Sequence, residues 1–367
     1  TILFGIFFSL MFLRVPIAFA LGMACLPIFF VEDRLSPQNL IQETFNAYNS
    51  FILLAVPFFL LTANLMGVGG ITDRLVRFSR ALVGHFPGGL AQVNVVLSIF
   101  FAGVSGSSTA DAASQGKIFI EAQVKEGYDV SFSVAITAVS AVLAVIIPPS
   151  ILMVLAGSIA SQSIGLLLIG GLVPGLFIAA MLMTYNHIYS VRRGVAPPTP
   201  FVFGHLLRAG LRAVLPMMTP VILMIGILDG YFTPTEAAVI AVIYTAVIAG
   251  LVYRTIRLRD VGPMLSETAR TAGNILFIAA TAKLAAWVFA FDGLPVKVAQ
   301  GLSAVTSSPT VVMLLIFLFL VVVGMFMDAI AAMFILIPVL LPPAMSLGVD
   351  PIHMLVVMVI TLTLGLV

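Results

Sequence analysis

Phe101-Ala102-Gly103-Val104-Ser105-Gly106-Ser107-Ser108-Thr109-Ala110-Asp111-Ala112-Ala113 is the stretch that decides the fold. Apolar residues lead into it and mostly apolar residues leave it, yet its centre is Gly, Ser and Thr with one carboxylate. Gly103 and Gly106 let the backbone turn sharply, and the hydroxyls can bond the groups that a turn leaves free. An irregular turn at membrane depth is tolerated only where it is buried in protein or lines a water-filled cavity. The stretch therefore predicts the tip of a re-entrant hairpin, with polar groups gathered for an ion or a substrate. The plainer reading is a loop between two spans at the membrane surface.

Membrane depth follows from composition. Of 367 residues 61% are apolar and only 9% are charged, against about 25% charged in a soluble domain. The mean hydropathy is +1.20, and runs near the roughly 20 residues that span a bilayer recur throughout. The chain reads as an all-α polytopic membrane protein; a β-barrel would need short alternating segments. The net charge of +2 carries little information, and nothing supports nucleic-acid binding. Cys25 is alone, so no disulfide forms within the chain. The first apolar run, Ile2 to Val31, is too long for a signal-peptide core and reads as a span.

Outward from the hairpin, the order of elements is as follows. Ser50–Met66 is a span, preceded by a polar connection from Glu32 to Asn49. Thr72-Asp73-Arg74 opens a short amphipathic helix with Arg74, Arg77 and Arg80 on one face, suited to lipid head groups. Leu90–Ala102 and Asp111–Val124 are the hairpin arms. Val130–Ile147 is a helix broken by Pro148-Pro149, which removes two backbone donors, and Ile151–Ala160 continues beyond. Spans follow at Ile164–Ile188, Leu211–Leu228, Glu236–Tyr253 and Ser266–Phe291, then a polar connection Asp292–Ser308. Thr310–Val323, a break at Gly324–Asp328 and Ala329–Leu341 form a second in-and-out element. Asp350 starts a last helix.

A shift that carries Gly103 onto Gly324 also carries Ser107 onto Asp328 and Asp129 onto Asp350. Weak internal symmetry of this kind marks secondary transporters. Counting spans with a returning first hairpin puts Arg74, Arg77, Arg80, Lys125, Arg192, Arg193, Arg208, Arg212, Arg254, Arg257 and Arg259 on one side, which is then cytoplasmic. Arg34 and Lys297 lie opposite. The same count opens the two hairpins to opposite faces, giving two inverted-topology repeats, each with a re-entrant hairpin and a broken helix. The repeated step from Asp129 to Pro148, taken from Asp350, runs past Val367, so a second break and half-helix are expected beyond the residues given.

Broken helices present N-terminal partial positive charge to an anion and freed carbonyls to a cation. Ser105, Ser107, Thr109, Asp111 and Asp328 are hard oxygen donors, suited to Na⁺ rather than to a soft metal. For both aspartates the plainer reading is a carboxylate capping the outgoing helix. Lys283 inside an apolar helix can pair with a carboxylate, meet an anion or snorkel to the interface. Asn64 and Asn94, amides inside apolar helices, are further candidates. The histidines have no metal spacing.

Five stretches carry a resemblance: Gly84-His85-Phe86-Pro87-Gly88-Gly89-Leu90-Ala91, Phe101 to Ala113, Ile147-Pro148-Pro149-Ser150, Phe232-Thr233-Pro234-Thr235-Glu236-Ala237-Ala238 and Gly324-Met325-Phe326-Met327-Asp328. In this order they resemble the large membrane subunit of the tripartite ATP-independent periplasmic (TRAP) transporters. The resemblance implies an elevator-type carrier of the ion-transporter superfamily, driven by Na⁺, in the bacterial inner membrane. It implies a small four-helix membrane subunit, a periplasmic substrate-binding protein and a small organic anion as partners, besides the lipid bilayer. It implies no organic cofactor. Carried over, the sodium and substrate sites fall on Ser105, Gly106, Ser107 and Asp111, on Pro148 and Pro149, and on Gly324 and Asp328, with Na⁺ at the hairpin tips. Residues 1–89 and 164–308 are then scaffold, and residues 90–163 and 309–367 are the transport repeats. Many relatives place an Arg shortly after the Trp-containing stretch, whereas Trp287 is followed here by Val288-Phe289-Ala290-Phe291.

Two other functions fit less well. An intramembrane aspartyl protease needs two carboxylates sharing a proton, but a Gly-x-Gly-Asp setting is missing around Asp111 and Asp328. A sodium-coupled anion transporter of related architecture, working without a binding protein, is the nearer alternative.

Overall fold

The computed structural model describes residues 2–31, 37–102, 108–195 and 200–366. In chain order its helices are α1 (Ile2–Phe12), α2 (Ile17–Val31), α3 (Pro37–Tyr48), α4 (Ala55–Val68), α5 (Ile71–Val83), α6 (Gly89–Phe101), α7 (Ser108–Lys125), α8 (Val130–Ile146), α9 (Ile151–Ala160), α10 (Ile164–Arg193), α11 (Phe203–Leu228), α12 (Pro234–Val247), α13 (Leu258–Phe291), α14 (Leu294–Val305), α15 (Pro309–Gly324), α16 (Ala329–Ser346) and α17 (Pro351–Leu364). Among the described residues every regular element is helical. Among the described residues, six helices are long and apolar enough to cross a membrane, or up to eight spans if each of two bent pairs counts as one. The chain is a multi-pass α-helical membrane protein.

Local chemistry sets the boundaries. Thr233 caps α12 by accepting from the Glu236 N–H at 3.3 Å, while Glu236 Oε2 accepts from the Thr233 N–H at 2.8 Å. This reciprocal capping box, followed by Pro234 at the first helical position, explains why that stretch reads Thr-Pro-Thr-Glu. Asp328 and Asp350 start α16 and α17, accepting from the N–H of Ile330 at 3.0 Å and of His353 at 2.8 Å. Ile147 is extended ahead of Pro148, as a residue before proline should be.

Four expectations from the sequence need correction. Ile2–Val31 is not one helix: α1 and α2 pack against each other across Leu13–Pro16, where Arg14 takes φ +61°. Proline removes a donor there, and an apolar run by itself does not separate one long helix from two short ones. Glu32–Asn49 contains α3, and Asp292–Ser308 contains α14. Both were hidden by polar content, yet both open with a proline in the first turn and repeat apolar residues every three to four positions, such as Leu294, Val298 and Leu302. The outgoing arm α7, with 18 residues, is also longer than Asp111–Val124 suggests.

Two compact units emerge, each discontinuous in sequence. One comprises Ala55–Val154 and Ile164–Ala269. In it α6, α7 and α8 pack pairwise, α10 lies against α6 and α8, α4 pairs with α12, and α5 with α11. Its core includes Ile71, Leu75, Val93, Leu97, Phe101 and Phe119. The other comprises Thr1–Leu54, Leu155–Ser163 and Arg270–Leu366. There α15, α16 and α17 pack pairwise and α14 lies along α16. Phe4 stacks on Phe289 at 5.3 Å between ring centroids, and Phe29 on Trp287 at 6.0 Å.

Lipid tails are as apolar as leucine, so helix association in a membrane depends on close packing and interhelical hydrogen bonds. Both devices are present. A Cβ on Gly365 would lie 2.7 Å from Gly324 Cα, so α15 and α17 meet backbone to backbone at these glycines. On α10, a Cβ on Gly171 would lie 2.5 Å from the Ile146 carbonyl oxygen.

Candidate functional site

The first hairpin's arms carry a buried polar ladder. Asn94 and Ser98 are one turn apart on α6, Asp111 and Gln115 one turn apart on α7, and Thr137 and Ser140 face them from α8; all six are buried. Gln115 donates from Nε2 to Asp111 Oδ2 at 2.9 Å, and its Oε1 accepts from Ser98 Oγ at 3.1 Å. Asn94 donates from Nδ2 to Thr137 Oγ1 at 2.8 Å, and Ser140 Oγ points to Asn94 Oδ1 at 3.5 Å. Leaving one such buried group unsatisfied costs about 1–3 kcal/mol. The ladder thus fixes three helices in register and orients a carboxylate in an apolar setting.

Asp111 lies inside α7, not ahead of it. It lies in the first turn of α7 with its side chain fully buried and bonded to Gln115. Ser105, Gly106 and Ser107 lie outside the described residues, as does the side chain of Thr109, whose backbone is in the first turn of α7.

Pro148 and Pro149 divide α8 from α9, which are bent by 48°. Neither proline offers an N–H to the carbonyls of Ala144 and Val145. Ser150 Oγ donates to the Val145 carbonyl and also accepts from the Met153 N–H at 3.2 Å, capping α9. The Ala144 carbonyl is left without its helical donor. Gly171 and Gly175 of α10 give this break room: a Cβ on Gly175 would lie 2.6 Å from the Ile147 side chain.

At the second hairpin, Asp328 is the N-cap of α16 and is exposed, so here the capping reading describes the local geometry. Gly324 serves a close crossing, since a Cβ there would lie 3.0 Å from the Leu362 carbonyl oxygen. Two further candidates stand apart from the ladder. Asn64 donates from Nδ2 to Thr268 Oγ1 at 2.8 Å, joining α4 to α13. Lys283 is exposed, and its Nζ donates to the backbone carbonyl of Asn46 at 3.3 Å rather than to a carboxylate.

Sequence reading missed Ser98, Gln115, Thr137 and Ser140. The signal was there: Asn94 with Ser98, and Asp111 with Gln115, are polar pairs at i,i+4 on otherwise apolar or small-residue arms. Chemically the ladder supplies carboxylate, amide and hydroxyl oxygens, and the break supplies a freed carbonyl. Such a donor set fits a small hard cation.

Comparison with known proteins agrees with this architecture. Residues 4–367 match the family model described as tripartite ATP-independent periplasmic transporter, DctM component. The chain is 36% identical over 370 residues to the isethionate TRAP transporter permease protein DctMQ of Oleidesulfovibrio alaskensis, covering all of this chain and 58% of that protein. It is 33% identical over 358 residues to the sialic acid TRAP transporter large permease protein SiaM of Vibrio cholerae, covering 98% of this chain and 84% of that protein. It is 37% identical over 333 residues to the C4-dicarboxylate TRAP transporter large permease protein DctM of Pseudomonas aeruginosa, covering 90% and 78%. The chain therefore spans little more than half of the first relative and most of the other two. All three are permeases and not enzymes, which sets the protease reading aside. The chain belongs to the DctM component family of the tripartite ATP-independent periplasmic transporters.

Proposed function

We propose that this chain is the large transmembrane subunit of a sodium-coupled importer that takes a small organic acid from a periplasmic binding protein across the bacterial inner membrane. The observation that carries the reading is the buried ladder ending at Asp111: an oriented carboxylate on a hairpin arm, on helices that also include the Pro148-Pro149 break. Sodium would be held by Asp111, by oxygens of the Ser105–Ser107 tip with Thr109, and by the freed carbonyl at the break. Asp328 and Gly324 would do the corresponding work at the second hairpin. Bound sodium would supply positive charge beside the helix ends, where an anionic group of the substrate could be held. Names of the relatives point to an organic acid: isethionate, sialic acid or a C4-dicarboxylate.

The inverted-repeat reading is supported by two helix triads, α6–α7–α8 and α15–α16–α17. Each packs pairwise, and in each the third helix follows an aspartate, Asp129 or Asp350. On this reading residues 90–163 and 309–367 move together against the scaffold formed by residues 1–89 and 164–308. A small four-helix subunit enlarges the scaffold. A cysteine pair joining the first hairpin's tip to α11 should stop transport reversibly on oxidation; full activity with the cross-link intact argues for local gating.

The test of the function is reconstitution of the permease with its small subunit and a candidate binding protein. Labelled acid should accumulate only when binding protein and an inward sodium gradient are both present. Accumulation without the binding protein would favour the self-sufficient anion transporter instead.

A further inference from the structure

A basic cavity lies apart from the hairpin. It has a volume of 610 Å³ and is lined by Arg74 and Arg77 of α5, His205, Arg208 and Arg212 of α11, and Tyr253. A second recess of 280 Å³ shares Arg77 and His205 and adds Arg80 and His85, extending the groove along α5. Against these cations the lining sets one acid, Asp73.

The cations divide into two kinds. Arg74 is pinned: it donates to the Gly70 carbonyl at 2.7 Å, and its guanidinium sits 3.5 Å over the Tyr253 ring. Tyr253 follows a π-helical turn, Ile248–Val252, that prolongs α12, and its hydroxyl donates to the Arg212 carbonyl at 3.1 Å. Such turns are rare and concentrate at functional sites. Arg80 pairs with Glu126 at 3.7 Å. Arg77, Arg208 and Arg212 are exposed and carry no ion pair among the described residues. Three guanidinium groups without an ion pair face one recess that holds a single carboxylate, Asp73, so they repel each other, and a bidentate oxyanion relieves that.

The location selects the anion. The cavity lies where two spanning helices end, at the start of α11 and the end of the span Pro234–Val252, with amphipathic α5 across it. Along α11, Arg208 and Arg212 are one turn apart. The adjoining stripe Leu207, Leu211, Val214 and Met218 is exposed by 55%, 68%, 48% and 37%. Cationic recess above and apolar stripe below match a phosphate head group with its acyl chains. Basic pockets at helix ends are the known form of anionic-lipid sites.

We propose that this groove binds an anionic phospholipid, whose phosphate is held by Arg77, Arg208 and Arg212 and whose tails lie along α11. The bound lipid ties the amphipathic helix that leads into the first hairpin to α11 and Tyr253. This site stands independently of the transport reading above.

Native mass spectrometry of the purified permease tests it, with phosphatidylglycerol and phosphatidylethanolamine added in parallel. Phosphatidylglycerol should be retained in preference, and an R77Q/R208Q/R212Q variant should lose roughly 100-fold in its affinity, at about fivefold per charge. If the triple variant does not purify folded, Arg208→Gln alone should lose roughly fivefold. Equal retention of the two lipids, or phosphatidylglycerol retention unchanged in the variants, overturns the proposal. Displacement of the lipid by inorganic phosphate at equal concentration also overturns it, assigning the groove to a soluble phosphate.

Discussion

Gln115 holds the Asp111 carboxylate from one helical turn away, with its Nε2 2.9 Å from Asp111 Oδ2, while its own carbonyl oxygen is held by Ser98 of the neighbouring arm. The amide thus orients the acid and joins the two arms at once. Gln115→Leu keeps the volume but removes both bonds and leaves buried oxygens short of a partner. It should cost about 1–3 kcal/mol, seen as a lower midpoint of thermal unfolding in detergent. Ser98→Ala should cost less, because it removes the donor and leaves Gln115 one bond. Equal midpoints for wild type and Gln115→Leu would show that the ladder does not stabilise the hairpin.

The crossing of α15 and α17 admits no side chain. Gly365→Ala places a methyl within 2.7 Å of Gly324 Cα, and the helices must part. Overpacking of this kind costs about 1–3 kcal/mol. Gly301→Ala is the control: nothing lies within 4 Å of its Cβ position in α14, and alanine should stabilise that helix by about 0.5–1 kcal/mol. The two substitutions should therefore shift the unfolding midpoint in opposite directions.

Thr233 and Glu236 show how a family-like motif can be structural. Thr233→Ala removes the cap of α12 and should cost about 0.5–2 kcal/mol. The sodium dependence of uptake should not change if, as proposed, α12 belongs to the scaffold. A changed sodium dependence would place this corner in the transport machinery.

Glu126 gives a pH signature. It sits just past α7, 3.7 Å from Arg80. Burial pushes its carboxyl above the ordinary 4.5, and Arg80 offsets part of this. The folded state therefore holds the proton more tightly than the unfolded chain. That contribution to stability is fully present below 4.5 and is lost as pH rises through the raised value. Unfolding midpoints measured across this window should fall with pH in the wild type and less steeply in Glu126→Gln. An unchanged slope in the variant would assign the dependence to another group.

Much of the fold was legible because membrane segments obey simple rules. Prolines at 148 and 149, and aspartates at 129 and 350, fixed helix ends to within a residue. Amphipathic α3 and α14 were less visible, since their polar faces resemble loops in a chain this apolar. Inside Ile2–Val31, Arg14 and Pro16 mark a candidate kink, but an apolar run does not tell a kinked span from two helices that pack against each other. At the site, Asp111 was legible as a carboxylate where none is cheap. Its setting was not: Gln115 and Ser98 matter only through contacts between arms, which spacing hints at but does not decide. Asp328 had two readings from sequence: its Oδ1 accepts the capping bond from the Ile330 N–H, a contact that a sodium ligand can also make.

Sodium activation of uptake, measured side by side for wild type, Asp111→Asn and Asn64→Ala in reconstituted vesicles, tests the central claim most directly. Asp111→Asn keeps the size and the ladder's geometry but removes the charge, whereas Asn64 bridges α4 and α13 away from the hairpin. If the first hairpin carries the coupling ion, Asp111→Asn should require at least about tenfold more sodium, the equivalent of 1.4 kcal/mol, while Asn64→Ala keeps the wild-type requirement. Identical sodium curves for wild type and Asp111→Asn would contradict sodium coupling through this hairpin.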